Sequence, residues 1–133
     1  MLALKEPLST VRPSLLLAHP DPLYAALVRQ IFLRLHWDVY VTASGVEARE
    51  MAAELSPCMV ILDVDLKDES GWLTCAKLTH EVPDIHVVLV ADHVGPVSHK
   101  FAYYVGAAAL IGRNDGLRAL VNAARDVALP AAG

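Results

Sequence analysis

Short, continuously apolar segments alternate along this chain with longer segments in which apolar residues recur every three to four positions. Continuous apolar runs are typical of strands buried on both faces, and the longer spacing is typical of helices with one apolar face. The pattern predicts five strands, each followed by a helix, at residues 15–18, 39–42, 58–62, 85–90 and 107–111. Five strand–helix pairs in succession favour one α/β domain, with a parallel sheet and helices on both faces.

Capping and breaking residues set approximate limits for the predicted helices. Pro22 suits the first turn of a helix, where its missing N–H costs nothing. Ser44 and Glu47 have the spacing of a capping box, and Asn114 or Asp115 is expected to cap the last helix. Apolar residues follow Pro22 at helical spacing, at Leu23, Leu27, Ile31 and Leu35. The helices are therefore expected at about 22–36, 46–55, 70–80 and 96–105, and beyond residue 115.

Length and composition agree with one compact domain. The 133 residues are 55% hydrophobic and 20% charged, enough for a substantial core. We expect a loose leader at 1–13, the domain at 14–128 and a tail at 129–133. The net charge of −4 gives no reason to expect direct contact with nucleic acid, and no apolar run is long enough for a membrane span.

The two cysteines, Cys58 and Cys75, show no disulfide framework. We expect both to be buried thiols, and the chain to work in a reducing, cytoplasmic setting without a secretory signal. The six histidines lack metal-binding spacing, so no metal site is expected from them.

Five segments, taken in order and at their spacing, resemble response-regulator receiver domains of the CheY-like type. Residues 57–63 resemble the strand that delivers the phospho-acceptor aspartate, and Gly71 follows that aspartate at the family's loop spacing. The other matching segments are residues 22–45, 84–91 and 106–113. The resemblance covers about residues 14–128. It implies a flavodoxin-like sheet with strand order 2-1-3-4-5 and a role in two-component or phosphorelay signalling.

The resemblance also implies where the phosphoryl-transfer site lies, at the carboxyl ends of the strands. Asp63 stands at the phospho-acceptor position, but the acidic pair that would hold magnesium falls on His19 and Pro20. The Ser/Thr switch position is Ala91, and the lysine position is Arg113. The aromatic switch position is Leu110, and the usual loop proline is Lys67.

These departures predict a pseudo-receiver: a signalling module that works mainly by protein–protein contact and is not an enzyme. Magnesium, the family's cofactor, is not expected to bind, and Arg113 can form an ion pair with Asp63 instead. One alternative is a genuine receiver phosphorylated at Asp63, with a rearranged magnesium site that uses Asp21 and Asp65. Another is a small-ligand binder on a flavodoxin-like sheet, although no phosphate-cradling glycine loop supports it.

An aromatic cluster on the predicted fourth helix is the candidate interface. Phe101, Tyr103 and Tyr104 cannot all face inward, because adjacent helical residues lie about 100° apart; we expect some of them to pack on the sheet. In the family this helix belongs to a partner-docking face. The expected partners are a histidine kinase, an output domain, another signalling protein or a second copy of the chain, and neither nucleic acid nor a membrane is expected.

Overall fold

The computed structural model describes residues 12–128, which form a five-stranded sheet flanked by helices. The strands are β1 (Ser14–Ala18), β2 (Asp38–Thr42), β3 (Met59–Asp63), β4 (Val87–Ala91) and β5 (Ala109–Gly112). All neighbouring strands are parallel, in the order β2-β1-β3-β4-β5. The strand order implied by the family resemblance is therefore confirmed.

Five helices cover the two faces of this sheet. They are α1 (Pro22–Arg34), α2 (Gly45–Leu55), α3 (Gly71–Glu81), α4 (Pro96–Tyr104) and α5 (Leu117–Ala128), with a 3-10 turn at Arg113–Asp115. One apolar core lies on the face of the sheet that α1 and α5 cover. A second lies on the face that α2, α3 and α4 cover. The helices expected on both faces are present. The expected cap of the last helix is wrong, because Asn114 and Asp115 belong to the 3-10 turn.

β3 is the central strand of the sheet, and every residue of β3 and of its neighbour β4 is buried. Their register places Asp63 beside Val90, and the β4–β5 register places Ala91 beside Gly112. The carboxyl ends of β3, β4 and β5 therefore reach the same edge of the sheet. This alignment brings residues that are distant in sequence into one site.

Helix α1 packs on the sheet through a face that the leucine spacing does not reveal. Its buried residues are Ala25, Val28 and Phe32, whereas Leu23 and Leu27 are 69% and 48% exposed. Trp37 completes this packing as it meets the Phe32 ring edge-on, with ring centroids 5.4 Å apart. The buried face therefore runs through Ala25, Val28 and Phe32, and Leu23 and Leu27 remain outside it.

The two cysteines have different environments. Cys75 is fully buried on α3, and burial raises the pKa of its thiol to about 12. Cys58 is exposed, so the expectation of a buried thiol is wrong there. The reason is that β3 begins at Met59 and leaves Cys58 in the exposed approach to the strand.

The predicted leader and tail lie outside the described residues, except for Arg12 and Pro13. The Asp38 N–H donates to the carbonyl of Pro13, and the Arg12 guanidinium donates to the carbonyls of His36 and Trp37. These contacts attach the approach to β1 to the turn between α1 and β2. Between Arg12 and Ala128, no helix is both long and apolar enough to cross a bilayer.

We predict that Leu62→Ala destabilises the domain by about 2–5 kcal/mol, because Leu62 is fully buried in the central strand and its loss leaves a cavity. Leu27→Ala is the matched control, since this leucine is half-exposed on α1, and it should cost less than about 0.5 kcal/mol. Urea denaturation of both variants measures the difference. Equal losses would contradict the central position of β3.

Candidate functional site

Four strand ends place the side chains of the candidate site. His19 follows β1, Asp63 ends β3, Asp92 follows β4, and Arg113 follows β5. Because the strands are parallel and in register, these positions meet at one edge of the sheet. In open α/β sheets this edge is where functional sites lie.

The carboxylate of Asp63 is fully buried, and both of its oxygens are engaged. Oδ2 forms an ion pair with Nη2 of Arg113, and it lies 3.0 Å from Nε2 of His19. Oδ1 accepts a hydrogen bond of 2.8 Å from the backbone N–H of Asp65. The Asp63–Arg113 ion pair considered from the sequence is therefore present.

His19 is held in one tautomer by its surroundings. Its Nδ1 accepts a 3.0 Å hydrogen bond from the backbone N–H of Asp21, so in the neutral ring the proton is on Nε2, which faces Asp63. That N–H lies close to the carboxylate without the alignment of a hydrogen bond, so the contact is mainly electrostatic. The Tyr24 ring stacks on His19 with centroids 4.2 Å apart and separates it from solvent.

Arg113 connects three carboxylates at the sheet edge. Its guanidinium forms ion pairs with Asp63 and Asp92, and Nη2 lies 3.8 Å from Oδ2 of Asp65. The 3-10 turn after β5 orients the arginine, and the Asp115 carboxylate stabilises this turn by accepting the N–H of Gly112 at 2.8 Å. A planar guanidinium can serve two carboxylates at once, which the single ammonium of a lysine does less well.

These contacts determine the charge state of Asp63. Burial by itself would raise the pKa of the carboxyl. The contacts with His19 and Arg113, together with the Asp65 amide, outweigh burial and hold the pKa below its ordinary value. Asp63 is therefore a buried carboxylate anion whose charge is compensated within the protein.

The remaining positions named from the sequence lie around this centre. Ala91 is buried at the end of β4, where it carries no hydroxyl, and Leu110 is partly buried against the core beneath α2, α3 and α4. Asp21 caps α1, since its Oδ1 accepts the Leu23 N–H at 3.0 Å. Within residues 12–128, no three acidic, histidine or cysteine side chains are arranged to hold a metal ion, and Asp21, Asp63 and Asp65 do not form such a group.

The aromatic residues of α4 are on the surface. Tyr103 and Tyr104 are 82% and 77% exposed, and Phe101 is half-exposed with its ring centroid 4.9 Å from that of Trp72. The expectation that some of the three pack on the sheet is wrong, because Ala102 is the residue that α4 buries. A small residue at that position brings the helix close to the sheet and turns the rings outward.

Sequence reasoning missed the way the β3–α3 loop is fastened to α2. Asp68 accepts hydrogen bonds from the hydroxyl of Ser44 and from the backbone N–H groups of Gly45 and Val46, at 2.8–3.1 Å. The carboxylate thereby joins Ser44 in capping the N-terminus of α2. These hydrogen bonds, led by that of Gly45, hold the pKa of Asp68 well below its usual range.

Glu69 fastens the same loop from its other side. Its carboxylate accepts hydrogen bonds from Arg49 on α2 and from Thr74 and Lys77 on α3, at 2.7–3.1 Å. Gly71 allows the end of the loop to lie close to the end of β3, because a Cβ at this position would overlap the carbonyl of Asp63. The signal in the sequence was a pair of adjacent acids just before the Ser70 cap, which could be read as solvated loop residues.

Comparison with known proteins identifies the family. The sequence profile of the response regulator receiver domain matches residues 15–125. The chain therefore belongs to the response-regulator receiver family, whose members are signalling domains of two-component systems.

One curated relative and two solved structures illustrate the similarity. The TorCAD operon transcriptional regulatory protein TorR of Escherichia coli K12 is 26% identical over 107 residues, which are 80% of this chain and 46% of TorR. The chain thus spans about half the length of this relative. The TorR receiver-domain structure aligns with TM-score 0.80 at 23% identity, over 89% of this chain and 98% of that one. A CheY-like receiver from Methanospirillum hungatei JF-1 gives TM-score 0.81 at 18% identity, over 87% and 93%. At these identities the structures establish the fold alone.

The lowered pKa values of Asp63, Asp68 and Glu69 predict acid sensitivity. A carboxyl whose pKa is lower in the folded state stabilises the fold above its unfolded pKa, near 4, and this contribution is lost as the pH falls through the folded pKa. The urea concentration at the unfolding midpoint, measured between pH 7 and 3, should decrease progressively once the pH is below about 5.

Asp68→Asn should make this decline shallower, since it removes one carboxyl whose pKa is lowered in the folded state. Asp84→Asn, at an exposed carboxylate in the α3–β4 turn, is the control and should leave the decline unchanged. An identical pH profile for wild type and Asp68→Asn would contradict the role of the loop carboxylate.

Proposed function

We propose that this domain is a receiver-type signalling module that acts by protein–protein contact in one fixed conformation, without phosphoryl transfer and without enzymatic activity. The observation that carries the proposal is the ion pair between the buried Asp63 and Arg113. In this arrangement the protein itself supplies the positive charge that compensates the carboxylate.

The environment of Asp63 opposes phosphorylation. A carboxylate that attacks phosphorus needs a free oxygen and a path for the phosphodonor in line with the leaving group. Here Oδ2 contacts Arg113 and His19, Oδ1 accepts the Asp65 amide, and the side chain has no exposed surface. A donor would have to displace the guanidinium, which has a second carboxylate partner in Asp92.

The donor set around Asp63 is also a poor match for magnesium. Mg²⁺ prefers an octahedron of oxygen ligands. Pro20 has no side-chain ligand and His19 offers nitrogen, while the guanidinium of Arg113 lies where it would repel a cation. These residues support a site that functions without a metal ion.

Two further positions support a domain that does not switch. A phosphoryl-driven switch needs a local group that distinguishes two states. Ala91 has no hydroxyl to donate to a phosphoryl group, and Leu110 has no ring to change position. The β3–α3 loop is in addition held to α2 by Asp68 and Glu69.

The proposed partners are proteins of a signalling pathway: a histidine kinase, an output domain or a second copy of this chain. TorR is named a transcriptional regulatory protein, and the present chain matches about half of it. A module of this kind can pair with such partners by surface recognition alone. We expect no direct contact with nucleic acid, because the chain has a net charge of −4.

We predict that the wild-type chain is not phosphorylated by acetyl phosphate in the presence of magnesium. Intact-mass measurement detects the adduct, and NMR titration with Mg²⁺ should show no saturable shift at Asp63 below about 1 mM. A phosphorylated species that disappears in Asp63→Asn would overturn the proposal and favour the genuine receiver.

Ala91→Thr alone should also stay unmodified, because the parts of such a site act as a unit. The control is a combined variant, His19→Asp, Pro20→Asp, Ala91→Thr and Arg113→Lys, which restores the family's side chains together. Mg²⁺-dependent shifts in the combined variant, and none in the single variant, are the expected result. Phosphorylation of the single variant Ala91→Thr would contradict this expectation, because it would show that the missing hydroxyl alone prevents phosphoryl transfer.

A further inference from the structure

His19 uses both of its ring nitrogens in the site. Nδ1 accepts the backbone N–H of Asp21 at 3.0 Å, and Nε2 lies 3.0 Å from Oδ2 of Asp63. The neutral ring has one free lone pair, on Nδ1, so a second proton can bind only there. The protonated ring carries a donor at each nitrogen and cannot accept the Asp21 N–H. Protonation of His19 and its hydrogen bond with Asp21 therefore exclude each other.

This hydrogen bond fastens the connection between β1 and α1, residues Pro20–Pro22, which we call the β1–α1 strap. Both prolines lack an N–H, so Asp21 carries the backbone donor of the strap. Asp21 also caps α1, because its Oδ1 accepts the Leu23 N–H and its carbonyl accepts the Ala25 N–H, both at 3.0 Å. The ring of His19 thereby holds the first turn of α1 against the end of β1.

The strap and Tyr24 form one cover over His19. Tyr24 lies in the first turn of α1, and its ring stacks on the imidazole with an interplanar angle of 19° and centroids 4.2 Å apart. Beneath this cover His19 is 4% exposed, and the adjacent Asp63 is fully buried. Because the strap leads directly into the turn that carries Tyr24, the fastening at Asp21 determines how closely both cover the site.

The groups that face the His19 ring come from several elements. Asp63 at the end of β3 favours a charged ring, and so does the face of the Tyr24 ring on α1. Arg113 after β5 opposes a charged ring, because its guanidinium pairs with the same Oδ2 of Asp63 that His19 faces. The other carboxylates nearby already have partners of their own, and they are Asp21, Asp65 and Asp92.

We propose that a proton on Nδ1 of His19 releases the β1–α1 strap, so that the strap and Tyr24 cover the site only while the ring is neutral. In the fastened form this proton would face the Asp21 N–H across 3.0 Å, in a place shielded from water. In the released form Nδ1–H donates to water, and Nε2–H remains beside Asp63. The form that accommodates a bound proton gains population as the pH falls.

This device goes beyond the proposed function and leaves its ion pair in place. The guanidinium of Arg113 stays charged in both forms, so Asp63 keeps its partner. The trigger is a proton on a histidine, and no phosphoryl group takes part. The proposed function describes the fastened form, and release of the strap changes the surface that a partner meets at the first turn of α1.

NMR of the full chain between about pH 8 and 5, the range in which histidines ordinarily change charge, tests the release. The ring nitrogens of His19 report its protonation, and the backbone amides of Asp21 and Tyr24 report the strap. Their amide shifts should change with the same midpoint as the ring. Protection of the Asp21 N–H from hydrogen exchange, relative to the intrinsic rate at each pH, should fall by about tenfold across that midpoint.

Two substitutions separate the roles of the two ring nitrogens. His19→Asn puts an amide oxygen where Nδ1 lies, so it can accept the Asp21 N–H without titrating, and the strap should stay fastened throughout. His19→Gln reaches only the position of Nε2, and it should leave the Asp21 N–H unprotected at every pH. His86→Asn is the matched control, since His86 is exposed before β4 at the opposite edge of the sheet, and it should leave the transition unchanged.

A His19 ring that titrates while the amides of Asp21 and Tyr24 keep their shifts and protection would overturn the proposal. A ring that remains neutral down to about pH 5 would also overturn it. A transition at Asp21 that persists in His19→Asn would do the same and assign the change to a carboxyl group. If either variant does not fold by circular dichroism, the wild-type titration decides alone.

None of these outcomes bears on phosphorylation of Asp63, which the mass measurement tests separately. Failure of the strap proposal and failure of the proposed function are therefore distinguishable.

Discussion

The ion pair between Asp63 and Arg113 joins the central strand to the strand at one edge of the sheet, at the point where both end. An isolated carboxylate buried at this place would be strongly unfavourable, because it has lost its water and lies among apolar strands. Arg113 makes the burial of Asp63 possible, and the Asp65 amide satisfies the second oxygen. The rest of the site is arranged around this compensated charge.

The use of an arginine has a structural consequence beyond charge. The same guanidinium contacts Asp92, so the loop between β4 and α4 is tied to the end of β3 through one side chain. That loop, with Trp72 and Phe101, lines a groove beside α4. Asp63 and Asp92 are thus connected through Arg113 by two ion pairs.

Most of the fold could be predicted from the sequence, because continuous apolar runs and helical spacing follow directly from burial on two faces or on one. The side of α1 that packs inward could not, since Ala25, Val28 and Phe32 are buried while Leu23 and Leu27, at an equally regular helical spacing, are exposed. On α4 the buried residue is Ala102 and the rings face outward. Spacing identifies a helix, but the contacts with the sheet decide which side is buried.

Only those residues of the site that lie at the ends of strands could be predicted. Asp63 ends β3 and Arg113 follows β5, so the strand order implied by the family resemblance made an ion pair between them possible, and the structure contains it. The contacts of Tyr24, Asp68 and Glu69 depend on loop paths and on the direction of individual side chains. No periodic pattern encodes those, and the acids look like ordinary solvated residues until the loop is folded against α2.

The permanence of the ion pair follows from its chemistry. Arginine stays protonated throughout the physiological pH range, so a change in pH does not remove the positive partner. Separating the pair would take the guanidinium away from a buried carboxylate, and loss of one partner of a buried ion pair typically costs about 3–5 kcal/mol. An open form of comparable cost would make up less than about 1% of the molecules, since 1.4 kcal/mol corresponds to a factor of ten. A partner that binds the closed form meets almost every molecule ready to bind, whereas a ligand of the open form must first overcome this difference. The ion pair thus supports the proposed function, in which partners recognise a single state of the domain.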